Sequence, residues 1–456
     1  MKRLSLIDDM FLRVESRRQP LHIGTLMLFE LPQNAPKDFT AKLAERLRQS
    51  THAASPFNWR LVRRRGLHYW TEDEHFDLGQ HFVHTCLPSP GRIRELLSLI
   101  SRVHSGHLDR EYPLWRMYLI EGIEGGRIAL YLKIHHAVTD GVAGMRMVSE
   151  MMAGSAEESV KLPPPWEISR RKSNAQPLPV PTPAAGILPA LQAVAREGLA
   201  SVSPLLRELR GTLQDARAAH PHLVLAGQAP RTVFNQKVSA TRRFAAQSYA
   251  TSRIRAVANA LGASLNDVIL AMCGGALRSY LKAAGSLPRQ SLVAAVPVSI
   301  RRGGGGLGNK VSFTMTTLAT DLDDPARRLC VIKECMDYNK QRMRELEATQ
   351  VQAYAALVLL PGAIKAMLGL NPEMALASVV ISHVPGPRQD MYWQGARLTG
   401  LYPVSLVTDS GALNITVVSR HDFVDFGLIA CRKSVPHMQR LLEDLESALK
   451  ELEACV

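Results

Sequence analysis

The stretch His135-His136-Ala137-Val138-Thr139-Asp140-Gly141 decides how this chain is read. Ahead of it, Ile128, Leu130, Leu132 and Ile134 alternate with Ala129, Tyr131 and Lys133. That period of two predicts a strand with one buried face. Behind it, Val142, Met145, Val148, Met151 and Met152 fall on one side of a helix, with Arg146, Ser149 and Glu150 between them. Two histidines therefore stand where a strand ends, and Asp140-Gly141 turns the chain into a helix. Glycine permits a tight backbone at such a turn, and the aspartate is placed to brace it. Imidazole titrates near neutrality, so it takes a proton from a hydroxyl and later releases it. A histidine pair by itself is more often packing than chemistry. The pair followed by Asp-Gly, between an apolar strand and a helix, points to a base.

The 456 residues are 46% hydrophobic and 21% charged, a globular composition with material for two cores. The formal charge is +14 and the pI is near 9.7. A basic surface suits an anionic partner, whether nucleic acid, acidic lipid headgroups or a phosphorylated small molecule. Aromatic residues make up only 6% and do not interleave with the arginine pairs as a base-stacking platform would, so nucleic acid is the weakest of the three. None of the six cysteines forms a C-x-x-C, which predicts reduced thiols and neither a disulfide frame nor a zinc site. His75, His81 and His84 fit no zinc spacing and read as structural or surface residues. Asp8, Asp9, Arg13 and Glu15 interrupt any apolar signal core. No stretch supplies the roughly eighteen apolar residues of a spanning helix. Residues 354–370 come nearest, and Pro361 and Lys365 break them. The expectation is a cytoplasmic protein, peripheral to the inner membrane or to lipid bodies.

Strands and helices mix without strict alternation, which predicts an α+β fold with large mixed sheets. We place an N-terminal domain at 1–160, a proline-rich linker and connecting helix at 161–230, and a C-terminal domain at 231–456. Residues 186–219 read as a basic amphipathic helix, with Leu188, Leu191, Leu205 and Leu209 set against Arg196, Arg207 and Arg210. Arg63-Arg64-Arg65-Gly66 reads as a hairpin turn, and Ser264-Leu265-Asn266-Asp267 as the start of an apolar helix. The glycine run at 303–306 is followed by a strand, not a helix, which argues against a dinucleotide or phosphate loop. No G-x-S-x-G elbow and no H-E-x-x-H occurs. A histidine acting alone as base suits acyl transfer from a thioester, whose carbonyl is already activated and whose thiolate leaves readily. No metal and no cofactor is then expected.

The histidine stretch resembles the motif of the CoA-dependent acyltransferase superfamily, which includes chloramphenicol acetyltransferases, carnitine acyltransferases and peptide-synthetase condensation domains. Further stretches appear in order along the whole chain: Leu4-Ser5-x-x-Asp8, Gln19-Pro20-Leu21-His22-Ile23-Gly24, Pro113-Leu114-Trp115, Asn266-Asp267-Val268, Val296-Pro297-Val298-Ser299 and Val384-Pro385-Gly386-Pro387. Together they resemble the bacterial wax ester synthase/acyl-CoA:diacylglycerol acyltransferase family. The resemblance implies two chloramphenicol-acetyltransferase-like domains with an active-site channel between them. It implies acyl-CoA as a substrate, with a fatty alcohol or diacylglycerol as acceptor. It makes His136 the general base, with His135 beside it in the pocket wall and Asp140 holding the Gly141 loop. Asn266 becomes a candidate oxyanion donor and Asp267 a residue lining the same site. Pro113, Leu114 and Trp115 become packing near the channel. One departure stands out, since the family usually has Asn before Val-Pro-Gly-Pro and this chain has His383. Two other functions remain to be weighed: a carrier-protein-dependent condensation-type transferase, and a non-catalytic lipid-droplet-binding protein.

Overall fold

The computed structural model describes residues 1–168, 220, 222–299, 311–344 and 374–456. The expected helix at 186–219, the glycine run at 303–306 and the apolar stretch at 354–370 lie outside these residues.

The first half runs β1 (Lys2–Arg3), α1 (Leu6–Val14), β2 (His22–Glu30), α2 (Phe39–Arg48), β3 (Trp59–Arg64), β4 (Leu67–Glu72) and β5 (Phe82–Cys86). It continues through α3 (Ile93–Ser105), β6 (Trp115–Ile123), β7 (Arg127–His135), α4 (Gly141–Glu150) and α5 (Ala156–Val160). The second half runs β8 (Ala229–Pro230), β9 (Arg242–Ala250), α6 (Thr251–Ala260), α7 (Leu265–Ala283), β10 (Val293–Ser299), β11 (Val311–Thr317) and α8 (Pro325–Arg344). It ends with β12 (Met374–Ala375), β13 (Val379–Pro385), β14 (Tyr392–Trp393), β15 (Ala396–Val404), β16 (Leu413–Ser419), β17 (Phe423–Cys431) and α9 (Arg440–Glu453).

Two six-stranded mixed sheets form the frame, in the orders β14-β15-β2-β7-β6-β5 and β11-β10-β13-β16-β17-β9. The architecture is α+β, with parallel pairs at β5–β6, β10–β13 and β13–β16 among antiparallel neighbours. The first sheet refines the expected boundary at residue 231. Its outer strands β14 and β15 come from the C-terminal half, and β15 pairs antiparallel with β2 from Arg397↔Glu30 to Val404↔Gly24. The crossing is tied down where it passes over β17. Asp425 Oδ2 accepts the Leu401 N–H at 2.8 Å and Arg420 Nε at 2.6 Å. A Cβ at Gly427 would lie 1.9 Å from the Pro403 carbonyl oxygen, so only glycine fits at the contact.

The central strand β7 differs from the sequence expectation. It is buried on both faces along nearly its whole length. Ile128, Leu130, Leu132 and Ile134 pack into a core with Trp115, Met145 and Val148. Ala129 and Tyr131 pack on the opposite side with α3 and the second domain. Tyr131 and Lys133 tolerate this because each finds a polar partner there. The Tyr131 hydroxyl meets His104 Nδ1 at 2.6 Å, and Lys133 Nζ donates to the Val103 and Gly106 carbonyls at the end of α3. Carbonyls in the last turn of a helix lack the full set of helical N–H partners, and the lysine adds a donor to them at the C-terminal end.

A small sheet, β1-β4-β3, covers α1. The predicted hairpin turn joins β3 to β4 through Arg65 and Gly66, with φ of 48° and 80°. Positive φ at both central residues is the two-residue turn whose twist matches antiparallel strands. No single described helix is long and apolar enough to cross a membrane; one bent pair, α6 with α7, passes that test jointly at an angle of 101°.

Candidate active site

The histidine loop hangs from two backbone hydrogen bonds. His135 N–H donates to the Leu114 carbonyl at 2.9 Å, and His136 N–H to the Leu21 carbonyl at 3.0 Å. The Pro-Leu-Trp and Gln-Pro-Leu-His motifs thus meet the histidines as neighbours that hold their backbone. Val138 N–H returns to the His135 carbonyl at 2.9 Å and closes the turn. Asp140 caps α4, its Oδ1 accepting the Ala143 N–H at 2.7 Å. An N-cap carboxylate satisfies a helical N–H that would otherwise lack a partner.

His135 is 1% exposed. Its Nδ1 accepts the Ala137 N–H at 3.1 Å, which leaves the ring proton on Nε2. That nitrogen faces Glu15 Oε1 at 3.5 Å. His136 stacks on Phe11 of α1, ring centroids 4.3 Å apart and planes inclined by 20°. Its Nδ1 is enclosed without a hydrogen-bond partner. Burial, with a smaller contribution from the neighbouring His135, holds the His136 imidazole down to about 4. The ring is therefore neutral near pH 7 and carries a free lone pair.

Glu15 is the residue that the sequence reading missed. It follows α1 and is nearly buried. Oε1 accepts the Leu21 N–H at 2.9 Å, and Oε2 accepts Arg110 Nη2 at 2.8 Å. His107 Nδ1 lies 3.6 Å from Oε1. Burial alone would raise the carboxyl, but His135, the Leu21 amide and Arg110 outweigh it and hold it at about 2. One ionised carboxylate thus holds the Leu21 backbone that grips His136 and faces the proton-bearing nitrogen of His135. The only sequence signal was an acid placed a few residues ahead of Gln19-Pro20-Leu21-His22.

Beneath the loop lies a second row of buried polar groups. His22 Nε2 donates to the His104 carbonyl at 2.6 Å, and His104 Nε2 to the Ser405 carbonyl at 2.9 Å. Burial pushes both imidazoles well below their ordinary range. The row continues into a seam between the halves of the chain. Gln19 Oε1 accepts the Asp409 N–H at 2.8 Å, Asp409 Oδ1 accepts the Val238 N–H at 2.8 Å, and Arg242 donates to the Arg18 carbonyl at 2.7 Å.

The remaining expected site residues make packing and capping contacts. Trp115 is 2% exposed and points away from the histidines. Its Nε1 donates to the Phe57 carbonyl at 2.7 Å, and its ring stacks on His81 and Trp166. Leu114, and Pro113 before it, are likewise buried, with Leu114 packed among Leu4, Leu12 and Ala137. These three support the loop from behind, because an apolar triplet leading into a central strand is drawn into the core. Asp267 closes a capping box on α7: Oδ2 accepts the Ser264 N–H at 2.9 Å, and Lys340 Nζ lies 3.8 Å from Oδ1. Asn266 is half-buried in the first turn of the same helix. Among the described residues no hydrogen bond links it to the histidine loop. His383 keeps a polar contact, its Nε2 2.5 Å from Ser419 Oγ.

Gly141 also departs from expectation. It is the first residue of α4 and is not among the glycines with positive φ. A Cβ there would meet nothing within 4 Å. The turn does not need glycine, and its absent side chain leaves open space at the start of α4. Gly141→Ala should therefore keep or slightly raise the melting temperature, by an effect of about 0.5–1 kcal/mol. If that space admits substrate, turnover falls in the same variant, and steady-state kinetics with thermal unfolding read the two effects separately.

The chain matches the model of the wax ester synthase/diacylglycerol acyltransferase catalytic domain over residues 4–269 and that of the family's C-terminal domain over residues 307–453. The chain belongs to the wax ester synthase/diacylglycerol acyltransferase family. It is 42% identical to the O-acyltransferase WSD of Acinetobacter baylyi, over 100% of this chain and 98% of that protein. A Mycobacterium tuberculosis protein named as a diacylglycerol O-acyltransferase is also 42% identical, over 99% of this chain and 100% of its own length. The wax ester synthase/diacylglycerol acyltransferase structure from Marinobacter aquaeolei VT8 superposes with a TM-score of 0.81 at 42% identity, covering 100% of this chain and 99% of that one. The first condensation domain of the CDA synthetase shares the fold, with a TM-score of 0.61 at 14% identity over 99% of this chain and 95% of that one. The chain is an acyltransferase of this family, and the histidine loop lies within the matched catalytic domain.

Proposed function

We propose that the chain transfers a long-chain acyl group from acyl-CoA to the hydroxyl of a fatty alcohol or of diacylglycerol, giving a wax ester or a triacylglycerol. The names of the relatives supply the two acceptor classes. The observation that carries the mechanism is the neutral His136, held rigidly by Phe11 and the Leu21 carbonyl. With Nδ1 enclosed, Nε2 is the nitrogen left to meet the acceptor hydroxyl. It takes the hydroxyl proton as the oxygen attacks the thioester carbonyl. The tetrahedral oxyanion collapses, the C–S bond breaks, and CoA leaves as the thiolate, to which the imidazolium returns the proton. No acyl-enzyme forms and no cofactor takes part. Asn266, in the positive first turn of α7, is the side-chain amide we assign to the oxyanion.

The low proton affinity of His136 sets the pH response. A base must be unprotonated, so kcat/KM should stay level as pH falls from 8 to about 5 and then drop as His136 protonates near 4. An inflection near the ordinary histidine value would show that the titrating base is not this buried ring. The substrate classes are tested with purified protein and labelled palmitoyl-CoA. Hexadecanol and dipalmitoylglycerol are added separately, and products are resolved by chromatography. Ester formation with either acceptor and no carrier protein supports the reading. Transfer that requires an acyl carrier protein, or no ester from any acceptor, overturns it.

A further inference from the structure

The two sides of α1 face different surroundings. Phe11 stacks on His136, and Glu15 just past the helix meets His135. Met10 and Val14, one turn apart, face solvent at 52% and 54% exposure. Apart from the terminal Met1 and Val456, no other large apolar side chain among the described residues exceeds half exposure. An apolar pair at i and i+4 with no protein partner is costly in water unless something covers it.

The surroundings of this pair are cationic. Arg13 donates to the Gly66 carbonyl at 2.9 Å and fixes the β3–β4 hairpin tip beside α1. Arg63, Arg64 and Arg65 stand exposed at that tip. Arg17 is exposed just beyond the helix, and Arg3 extends from β1 on the same small sheet. Among the described residues none of these five arginines has a carboxylate within ion-pair distance, whereas the neighbouring Arg13 and Arg18 do. Unpaired arginines around an exposed apolar stripe match the two demands of an anionic bilayer surface, charge outside and hydrocarbon inside.

We propose that Met10 and Val14, with the hairpin tip Arg63, Arg64 and Arg65, dock the protein on an anionic phospholipid surface. Docking there lays the outer side of α1 on the lipid from which an apolar acceptor is drawn, with the base one helix width away against Phe11 on the inner side. The delivery role rests on the acyl-transfer reading above; the surface itself is tested without catalysis.

The test is cosedimentation of the full chain with extruded vesicles of phosphatidylcholine, with and without phosphatidylglycerol. Wild-type protein should bind the phosphatidylglycerol vesicles and lose binding as salt is raised. In R63T/R64T/R65N, where Asn suits the positive φ at 65, binding should weaken by about 10²-fold, at roughly fivefold per arginine. Transfer from a short-chain acyl-CoA to a water-soluble alcohol should be unchanged in that variant. M10Q/V14Q should lose the part of binding that survives high salt. Equal binding of wild type and the triple variant, or equal binding to both vesicle types, would overturn the proposal. If the wild type binds as expected but transfers no acyl group, the acyl-transfer reading fails and the docking surface stands.

Discussion

Replacing His136 with alanine should lower turnover by about 10²–10⁴-fold while leaving the fold intact. The ring contributes little to the core beyond its stack on Phe11, and its Nδ1 has no hydrogen bond to lose. Its backbone N–H stays on the Leu21 carbonyl in the variant. The loss should fall on kcat, with KM for acyl-CoA nearly constant, because proton acceptance matters in the transition state and not in ground-state binding. Circular dichroism and thermal unfolding check the fold. A folded variant with near wild-type turnover would remove His136 from the chemistry.

Glu15→Ala is expected to damage both stability and catalysis. It removes the acceptor of the Leu21 N–H, the partner of Arg110 and the carboxylate facing His135. Leaving the buried Leu21 N–H without its acceptor costs about 1–3 kcal/mol, the half-exposed Arg110 adds little, and an imidazole displaced by about 1 Å can lose 10²-fold in rate. Glu15→Gln separates the two effects. An amide oxygen can still accept the Leu21 N–H, so the backbone stays while the charge goes, and kcat should fall with KM held. The carboxyl is held at about 2 against an ordinary 4.5. A depressed carboxyl contributes stability that is present above its ordinary value and lost as pH falls toward its folded value. Wild-type stability should therefore decline between about pH 5 and pH 2, and Glu15→Gln should show a shallower decline in chemical denaturation across that window. A Gln variant with unchanged kcat would make Glu15 a purely structural residue.

These two residues show how far the sequence could be read. His136 was legible because its surroundings are local: an alternating strand, a turn and an amphipathic helix lie within a few residues on either side. Glu15 was not, because its link to His135 spans about 120 positions and only folding brings α1 onto the loop. The same distinction holds for the frame. The β3–β4 hairpin and the β16–β17 pair follow from turn residues and alternation nearby. The passage of β15 into the first sheet depends on a pairing with β2 more than 350 residues away, which no local pattern encodes. Lys133 looked like the solvent side of a strand, because a lysine amid alternating apolar residues does so unless carbonyls wait for it. Gly141 was read as conformational, yet its φ is not positive and a Cβ would meet nothing there. Trp115 was read as packing, and it packs in the core, where its indole donates to the Phe57 carbonyl.

In the proposed mechanism transfer is direct, with His136 passing the hydroxyl proton and no acyl group resting on the protein. Rapid-quench measurement of CoA release from labelled palmitoyl-CoA, with and without hexadecanol, tests it most directly. CoA should appear only with the alcohol, in step with ester, and intact-protein mass should be unchanged by acyl-CoA alone. A burst of CoA equal to the enzyme concentration without alcohol, accompanied by an acyl mass gain on the chain, would contradict it.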